Sequence, residues 1–401
     1  MLVKRKVFLI DNNWHHGLRE NLRNYFNDFD VVEIDPRSQA SVILLYEFTI
    51  TKPEQVYTII SVGELAFTFL FDNRIIHEKT DIPIIFLGGD SPADYRRVNL
   101  NKIPFDFSRV IVATFCEEWD YLWKKHFKPS HTCIIDGSVF SQRPNSTLGD
   151  QSVTCGSRSS TAVLPANLIH YSSNNTALNS EGLISLASRF GERYEFHFRA
   201  VAEAILNNDN LELIALIEME LKEDPEFQDT DSHLNLYYHV NAFIKLRRRE
   251  ALIVSLMKQP VVFLGDGYPE QWKTIAPNQF GSVTGRDLSV FFLRARMIID
   301  PPQVCNTIHD RMIYGIRCGM VPLTKANSTI KRWFRHGENV LFYENADDAA
   351  RLVGETLADP EKSFQLAKNA YSTLDNYQIE NQSLSILNGV ICKVRKERNL
   401  P

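Results

Sequence analysis

The sequence predicts an α/β protein with two domains, each built around a parallel sheet. Short apolar runs recur along both halves of the chain and stop at loops rich in Gly, Asp and Pro, as strands of a covered parallel sheet do. Between 297 and 357 such runs alternate with helical spacing, an order that implies right-handed crossover connections. The segment 142–161 loses apolar periodicity and gathers Ser, Thr, Gly and Asn, as a linker does. We therefore predict Rossmann-like domains over 1–150 and 160–375, followed by a terminal helix over 376–401.

Strands of the first domain are predicted where apolar runs meet polar loops. The runs lie at 6–10, 31–34, 41–46, 58–62, 82–87, 110–114 and 132–135, and the run at 58–62 also fits a helix. Helical spacing predicts helices at 18–26 and 117–126. In a doubly wound sheet the loops after the strands share one rim and carry functional side chains. The polar side chains on such loops are Asp11, His15, His16 and Asp90.

The second domain is predicted to contain a helical block after its first strand. That strand covers 162–164 and 168–170, and helices follow at 201–206, 211–221 and 234–256. Later strands are expected at 261–264, 280–283, 297–299, 320–324 and 340–343, with a helix at 287–296. Asn306 or Thr307 is expected to cap the helix that Gly319 ends, with Asp310 in its first turn, where the helix dipole favours negative charge. A further helix is expected to begin near Asn345.

Composition excludes several classes of protein. The 401 residues carry a net charge of −5 with both signs interspersed, so no attraction to nucleic acid is expected. The apolar run after the basic amino terminus is too short for an export signal, and no run approaches the length of a membrane span. The six cysteines lack metal-type spacing and are expected to be free thiols. We therefore expect a cytoplasmic protein, and a peripheral contact with the inner face of the membrane stays open.

Ligands of such sheets bind beyond the carboxyl ends of the strands, which here are 300–306 and 324–329. The triplet Gly265, Asp266 and Gly267 follows a predicted strand, so its backbone amides would approach a phosphate closely. An ordinary turn explains this triplet equally well. The run of arginines at 247–249 lies on a predicted helix, where a solvated face is favoured over a phosphate clamp.

The second half of the chain resembles a known family in two short motifs. The residues that carry the resemblance are Arg311, Ile313, Tyr314, Cys318 and Gly319, followed by Gly337, Glu338, Asn339, Val340 and Tyr343. They resemble the donor-binding half of two-domain (GT-B type) glycosyltransferases, in particular the group-1 branch that includes CgeB-like proteins. The resemblance extends over about 162–359, and the first domain is similar only in layout. Where this chain has Tyr314, the family usually has the Glu that holds the donor ribose.

The resemblance implies two Rossmann-like domains that face each other across a cleft. A nucleotide sugar would bind mainly to the second domain, and the acceptor, a glycan, a lipid-linked glycan or a protein, to the first. Arg311 would bind phosphate oxygens and neutralise the negative charge of the departing nucleoside diphosphate. The alternative for this residue is an ion pair with Asp310 or Asp300. The candidate donor contacts are Gly265, Asp266, Gly267, Asn306, His309, Asp310, Arg311, Tyr314, Thr324 and Glu338.

The resemblance also implies a proton acceptor for the attacking hydroxyl in the first domain. Asp90 is the first choice, although a structural role at the start of a turn or helix explains this residue equally well. Asp11, His15 and His16 are the other candidates. No metal ion or other cofactor is expected, because the adjacent histidines have no carboxylate or Cys at ligand spacing. The Glu-x7-Glu pair of many retaining members would fall on Asn306 and Tyr314, so its absence tilts the prediction towards inversion.

Two alternatives remain open at this point. A catalytically silent GT-B protein would bind a nucleotide or glycan without turnover, and Tyr314 is the residue that suggests it. A different two-domain α/β enzyme, such as a sugar epimerase or a phosphorylase, is the other. A phosphorylase would need a lysine that carries pyridoxal, and no lysine of this chain has a supporting motif.

Overall fold

The structure is a computed structural model with two compact units. It describes residues 4–11, 15–63, 70–71, 74–88, 92, 107–141, 158–168, 170–171, 177–208, 211–224, 227, 229–276, 279–281, 285–302 and 306–401. Unit 1 comprises Met1–Gln142 with Gln378–Pro401, and unit 2 comprises Arg143–Tyr377. Each unit is described by itself below.

Unit 1 is built on a six-stranded sheet in which all neighbouring strands are parallel. Its strand order is β2-β1-β3-β6-β7-β8, for β1 (Lys6–Ile10), β2 (Asp30–Ile34), β3 (Val56–Val62), β6 (Ile84–Leu87), β7 (Val110–Thr114) and β8 (His131–Ile134). A small antiparallel pair is formed by β4 (Leu70–Phe71) and β5 (Arg74–Ile75). The α-helices of this unit include α1 (His16–Tyr25), α2 (Gln39–Tyr46), α3 (Ile76–Lys79) and α4 (Glu117–His126).

Unit 2 contains a second parallel sheet of six strands. Its order is β13-β12-β9-β14-β15-β16, for β9 (Ser159–Pro165), β12 (Val261–Leu264), β13 (Phe280–Gly281), β14 (Ala295–Ile299), β15 (Val321–Lys325) and β16 (Leu341–Tyr343). A small antiparallel pair is formed by β10 (His170–Tyr171) and β11 (Ala177–Leu178). The prediction of an α/β protein with two Rossmann-like domains is therefore confirmed. That the domains face each other across a cleft stays a prediction.

The helices of unit 2 form two blocks along the sequence. The first block, between β11 and β12, contains α5 (Ser180–Arg189), α6 (Glu192–Asn207), α7 (Leu213–Leu221) and α8 (Thr230–Leu256). The later helices are α9 (Glu270–Ile275), α10 (Gly285–Arg294), α11 (Asp310–Arg317), α12 (Ala346–Ala358) and α13 (Pro360–Tyr377). The last helix of the chain, α14 (Ile379–Glu397), belongs to unit 1, where Ser383 Oγ accepts a hydrogen bond from the Asp136 amide at 3.0 Å.

The core of unit 2 explains why its strands are continuous apolar runs. Along β14, Met297 and Ile299 belong to one hydrophobic cluster and Ile298 to another. Successive side chains of a strand point to opposite faces, so both faces of this sheet are covered. Gly319 lies in the left-handed region at φ 77° after α11, and its amide donates to the Ile316 carbonyl at 2.8 Å. This glycine therefore ends the helix as predicted.

Two local predictions were wrong. The segment 41–46 lies in α2 and not in a strand, because an apolar run without clear periodicity fits either element, and Ser38 caps the helix by accepting from the Ser41 amide. The cap of α11 is His309, which lies in the extended region, and not Asn306 or Thr307. Asp310 is the first residue of α11, in the first turn as expected.

Candidate active site

The carboxyl ends of β9 and β12 lie side by side at one rim of the sheet in unit 2. The Ala166 amide donates to the Leu264 carbonyl at 2.9 Å, and the Leu168 amide donates to the Asp266 carbonyl at 2.9 Å. The loop after β9 (166–168) and the turn after β12 (265–267) therefore run together at this rim.

The glycines of the 265–267 turn are required by its backbone. A Cβ atom on Gly265 would lie 2.3 Å from the Ala166 carbonyl oxygen, and Gly267 has a φ of 84°. The Gly265 amide donates to the Gly281 carbonyl at 2.9 Å, and the Asp266 amide donates to Asn167 Oδ1 at 3.0 Å. These two amides are thus engaged within the protein, which favours the interpretation of the triplet as a closely packed turn.

Two arginines converge on the end of β9 and the loop after it. Arg311 of α11 donates from Nη1 to the Pro165 carbonyl at 2.7 Å, and Arg249 of α8 donates from Nη1 to the Asn167 carbonyl at 3.0 Å. Among the residues that the structure describes, no carboxylate lies at ion-pair distance from either guanidinium, and the buried Nε of Arg249 has no acceptor. The rim therefore presents two cationic groups with unused N–H donors.

The two guanidinium groups influence each other. Burial, and after it the positive charge of Arg311, lower the pKa of Arg249 to about 10, while the carboxylate of Asp300 acts in the opposite direction. Like charges held close together in a half-buried place are unfavourable unless an anion compensates them. An anion bound here would relieve that repulsion and would meet donors from both side chains.

Arg249 is the functional candidate that sequence reasoning did not select. Arg247 is exposed and pairs with Glu250 at 2.9 Å, so the prediction of a solvated face describes this residue. Arg249 instead stands three and four residues before the buried Leu252 and Ile253, on the inner side of α8. This spacing was a signal in the sequence, because it separates Arg249 from Arg247.

The next part of the rim contains a buried carboxylate. Asp300, which follows β14, is 4% exposed. It accepts from His309 Nδ1 at 2.6 Å and from Thr324 Oγ1 at 3.3 Å. Its negative charge acts to raise the pKa of Arg249, against the effect of burial. The structure thus brings His309 and Thr324 together around Asp300, and Arg249 and Arg311 together at the end of β9 and the loop after it.

Other candidates in unit 2 have contacts of a different kind. Tyr314 packs against Phe292, with ring centroids 5.5 Å apart, and burial together with a hydrogen bond to Cys318 raises its pKa. Asn306 and Asp310 are exposed, and the Asn306 carbonyl accepts from Thr329 Oγ1 at 3.1 Å. Glu338 lines a separate cavity with Trp333 and Tyr377. The structure thus places Tyr314 in an aromatic contact and Glu338 at that separate cavity.

In unit 1 the structure brings two of the predicted candidates together. Asp11, at the end of β1, is 4% exposed and accepts from His15 Nδ1 at 2.8 Å. Burial by itself would raise the pKa of Asp11, but the hydrogen bond and charge of His15, together with Arg19, lower it overall. A carboxylate that holds Nδ1–H of an imidazole leaves Nε2 available as a base. The pair therefore has the composition of a general base with its orienting group.

His16 and Asp90 are placed differently. His16 begins α1, is exposed, and accepts at Nδ1 from Arg19 Nη2 at 2.6 Å. It therefore points to a cation and not to the Asp11 carboxylate. Asp90 lies outside the described residues, so its role as the first-choice base stays a prediction.

Within the described ranges, no group of three or more His, Cys, Asp or Glu side chains is arranged to hold a metal ion. No described helix combines the length and the apolar character that crossing a bilayer requires. The prediction that no metal takes part stays a prediction.

Comparison with known proteins gives one match to a protein family. Residues 246–388 match the family model described as glycosyl transferase-like. The matched segment contains Arg249, the 265–267 turn, Asp300, His309 and Arg311. Membership of the CgeB-like branch stays a prediction. No curated protein matches the chain.

Several solved structures are distantly similar. Alr3699/HepE from Anabaena, solved with UDP and glucose, is 10% identical over 96% of this chain and 100% of that one, with a TM-score of 0.47. Sucrose-phosphate synthase from Thermosynechococcus elongatus is 11% identical over 97% of this chain and 100% of that one, with a TM-score of 0.48. WaaG, a glycosyltransferase involved in lipopolysaccharide biosynthesis, is 10% identical over 97% and 99%, with a TM-score of 0.41. Likenesses at this distance carry no functional argument.

Proposed function

We propose that this chain is a glycosyltransferase that moves a sugar from a nucleotide-sugar donor to a hydroxyl group of a glycan, a lipid-linked glycan or a protein. The observation that carries the proposal is the pair formed by Arg249 and Arg311. Both guanidinium groups lie at the rim of the unit 2 sheet without a carboxylate partner in the described part of the chain. Both also lie within the segment that matches the glycosyl transferase-like model.

In this proposal the arginine pair binds the diphosphate of the donor. A guanidinium group offers two parallel N–H donors that match phosphate oxygens, and its charge does not depend on pH near neutrality. As the bond between the anomeric carbon and the phosphate oxygen breaks, negative charge grows on the departing nucleoside diphosphate. Arg249 and Arg311 stabilise that charge, which lowers the barrier to transfer. Their two positive charges do the work that a divalent cation does in other transferases, so we expect transfer to continue in the presence of EDTA.

In unit 1 we assign the general base to His15. Its Nε2 takes the proton of the acceptor hydroxyl while that oxygen attacks the anomeric carbon. Asp11 holds Nδ1–H of the same ring and stabilises the imidazolium that forms. Direct attack on the donor by an activated hydroxyl inverts the configuration at the anomeric carbon, in line with the prediction from the absent Glu-x7-Glu pair.

A ligand panel tests the donor site. The unfolding temperature of the protein is measured with UDP, GDP, ADP, CMP and dTDP, since a ligand selective for the folded state raises it. We expect one of the nucleoside diphosphates to raise it well above the other ligands. The corresponding nucleotide sugars are then supplied with glycan acceptors, and release of the nucleoside diphosphate is measured. If no nucleotide of the panel stabilises the protein, the proposal is refuted.

One observation favours a second candidate function. Tyr314 stands where the resembled family has a ribose-binding Glu, and here its ring packs on Phe292. A protein that binds a nucleotide or glycan without turnover would also have this feature. This second function predicts that a nucleoside diphosphate stabilises the protein, but that no nucleotide sugar releases its nucleoside diphosphate when acceptors are present.

A further inference from the structure

A cavity in unit 2 has a chemistry unlike that of the arginine pair. It has a volume of about 460 Å³ and lies between the segment 333–339 and the carboxyl-terminal half of α13. Small-molecule sites in proteins commonly have volumes of a few hundred Å³. Its walls include Trp333, Tyr377, Glu338, Asn369, Ser372 and Asn376.

The walls of this cavity are fixed by hydrogen bonds between the segment 333–339 and α13. Asn339 Nδ2 donates to Thr373 Oγ1 at 2.8 Å, and its Oδ1 accepts from the Arg335 amide at 2.6 Å. Asn369 Nδ2 donates to the Glu338 carbonyl at 2.8 Å. A ligand would therefore meet a preformed surface, and binding would not have to order these groups first.

Three polar side chains of the cavity keep their hydrogen-bonding capacity. Within the described part of the chain, the Glu338 carboxylate, the Ser372 hydroxyl and the Asn376 amide have no partner. Ser372 and Asn376 stand four residues apart on α13 and so lie on one face of the helix. Together they offer a carboxylate that only accepts, and a hydroxyl and an amide that both donate and accept.

The aromatic side chains add an apolar surface at one end. The rings of Trp333 and Tyr377 have centroids 5.4 Å apart and are tilted by 56°. The hydroxyl groups of a pyranose donate and accept at its edge, while its C–H groups form an apolar face that packs on aromatic rings. The wall also carries one charge of each sign, from Arg335 and Glu338, which suits a neutral ligand better than an anion.

We propose that this cavity, the 333–377 cavity, binds a neutral carbohydrate through hydrogen bonds from Glu338, Ser372 and Asn376 and contact with Trp333 and Tyr377. The proposal assigns Glu338 to a saccharide site that is distinct from the diphosphate site. It goes beyond the proposed transfer reaction, because such a site would hold part of a glycan chain at a place where no bond is made or broken.

Ligand-observed saturation-transfer NMR on the full chain tests this proposal. The probes are methyl β-glucopyranoside, methyl β-galactopyranoside, methyl N-acetyl-β-glucosaminide and cellobiose at millimolar concentration, with glucuronic acid as the anionic comparison. We expect at least one neutral saccharide to receive saturation from the protein and to do so more strongly than glucuronic acid. Absence of transfer to every neutral saccharide, or a preference for glucuronic acid, would overturn the proposal.

Matched variants locate the bound saccharide. Asn376→Ala and Glu338→Gln each remove a group that faces the cavity and should weaken binding by about tenfold, the effect of one strong hydrogen bond. Asp375→Asn changes an exposed neighbour on α13 that does not line the cavity and should leave binding unchanged. Excess UDP should not displace the saccharide. Displacement by UDP, or equal binding by all three variants, would place the saccharide elsewhere and refute the assignment, whether or not the protein transfers sugar.

Discussion

The carboxylate of Asp11 accepts a hydrogen bond from Nδ1 of His15 at 2.8 Å, just beyond the end of β1. The ring of His15 also packs against that of Phe140 at 64°, with centroids 5.2 Å apart, so the imidazole is held by two neighbours. This leaves Nε2 as the ring atom able to take a proton from a hydroxyl group. Both residues were candidates from the sequence, but their pairing follows from the fold.

His15→Ala is expected to abolish most of the transfer while leaving nucleotide binding intact. Loss of a general base typically slows a reaction by about a hundredfold to ten-thousandfold. The measurement is the rate at which the nucleoside diphosphate is released with donor and acceptor at saturation. Binding of the same nucleoside diphosphate is measured by calorimetry. His16→Ala is the control, because His16 is exposed and faces Arg19. Equal loss of rate in both variants would count against His15 as the base.

Asp11 should also make the stability of the folded protein depend on pH in the acid range. Its folded-state pKa lies below the ordinary value of 3.8, because the hydrogen bond and charge of His15 outweigh burial. A carboxyl group with a depressed pKa contributes stability at higher pH, and this contribution is lost as pH falls through the folded-state pKa. Unfolding temperatures measured between about pH 5 and pH 3 should therefore fall more steeply for the wild type than for Asp11→Asn. Parallel curves for the two proteins would contradict the assignment.

Gly315 permits the close packing of α11 on β14. A Cβ atom on this residue would lie 2.8 Å from Cγ2 of Ile298, whereas one on Gly389 would meet nothing within 4 Å. Gly315→Ala should cost about 1–3 kcal/mol through overpacking, and Gly389→Ala should gain about 0.5–1 kcal/mol through helix propensity. Because α11 also carries Arg311, the first variant should weaken nucleotide binding as well. Chemical denaturation compares the two, and a stable Gly315→Ala protein would show that α11 packs more loosely.

The cysteines should differ in reactivity. Burial raises the pKa of Cys133 to about 12 and that of Cys318 to about 11, whereas Cys392 is exposed. The thiolate is the reactive form, so iodoacetamide at neutral pH should label Cys392 first and spare the other two. Peptide mass spectrometry gives the order, and labelling in denaturant gives the reference in which all three react. Early labelling of Cys133 or Cys318 in the folded protein would contradict this burial.

The sequence predicts the strands of this fold better than its site. A run such as 6–10 has apolar side chains on both faces, and it coincides with β1 (Lys6–Ile10). The run at 41–46 is also apolar after Ser41, but it forms a helix, because its composition alone does not distinguish the two elements. A short apolar run indicates a strand when polar loops flank it and a parallel neighbouring strand pairs with it.

The site itself depends on contacts between distant parts of the chain. The rim of the sheet was predictable, because strand ends of a parallel sheet meet at one edge. That Arg249 joins Arg311 there was not, because α8 and α11 are separated by more than fifty residues and their arginines donate to carbonyl groups at and just after the end of β9. The saccharide cavity likewise arises where the segment 333–339 packs on α13.

Calorimetric titration of the best nucleoside diphosphate into three arginine variants tests the central claim most directly. Arg311→Ala and Arg249→Ala should each weaken binding by about tenfold or more, the effect of losing a charge-assisted hydrogen bond of about 1.5–3 kcal/mol. Arg247→Ala, which lies on the same helix and pairs with Glu250, should bind as the wild type does. If both Arg249→Ala and Arg311→Ala retain wild-type affinity, the arginine pair is not the donor site and the proposed function loses its support.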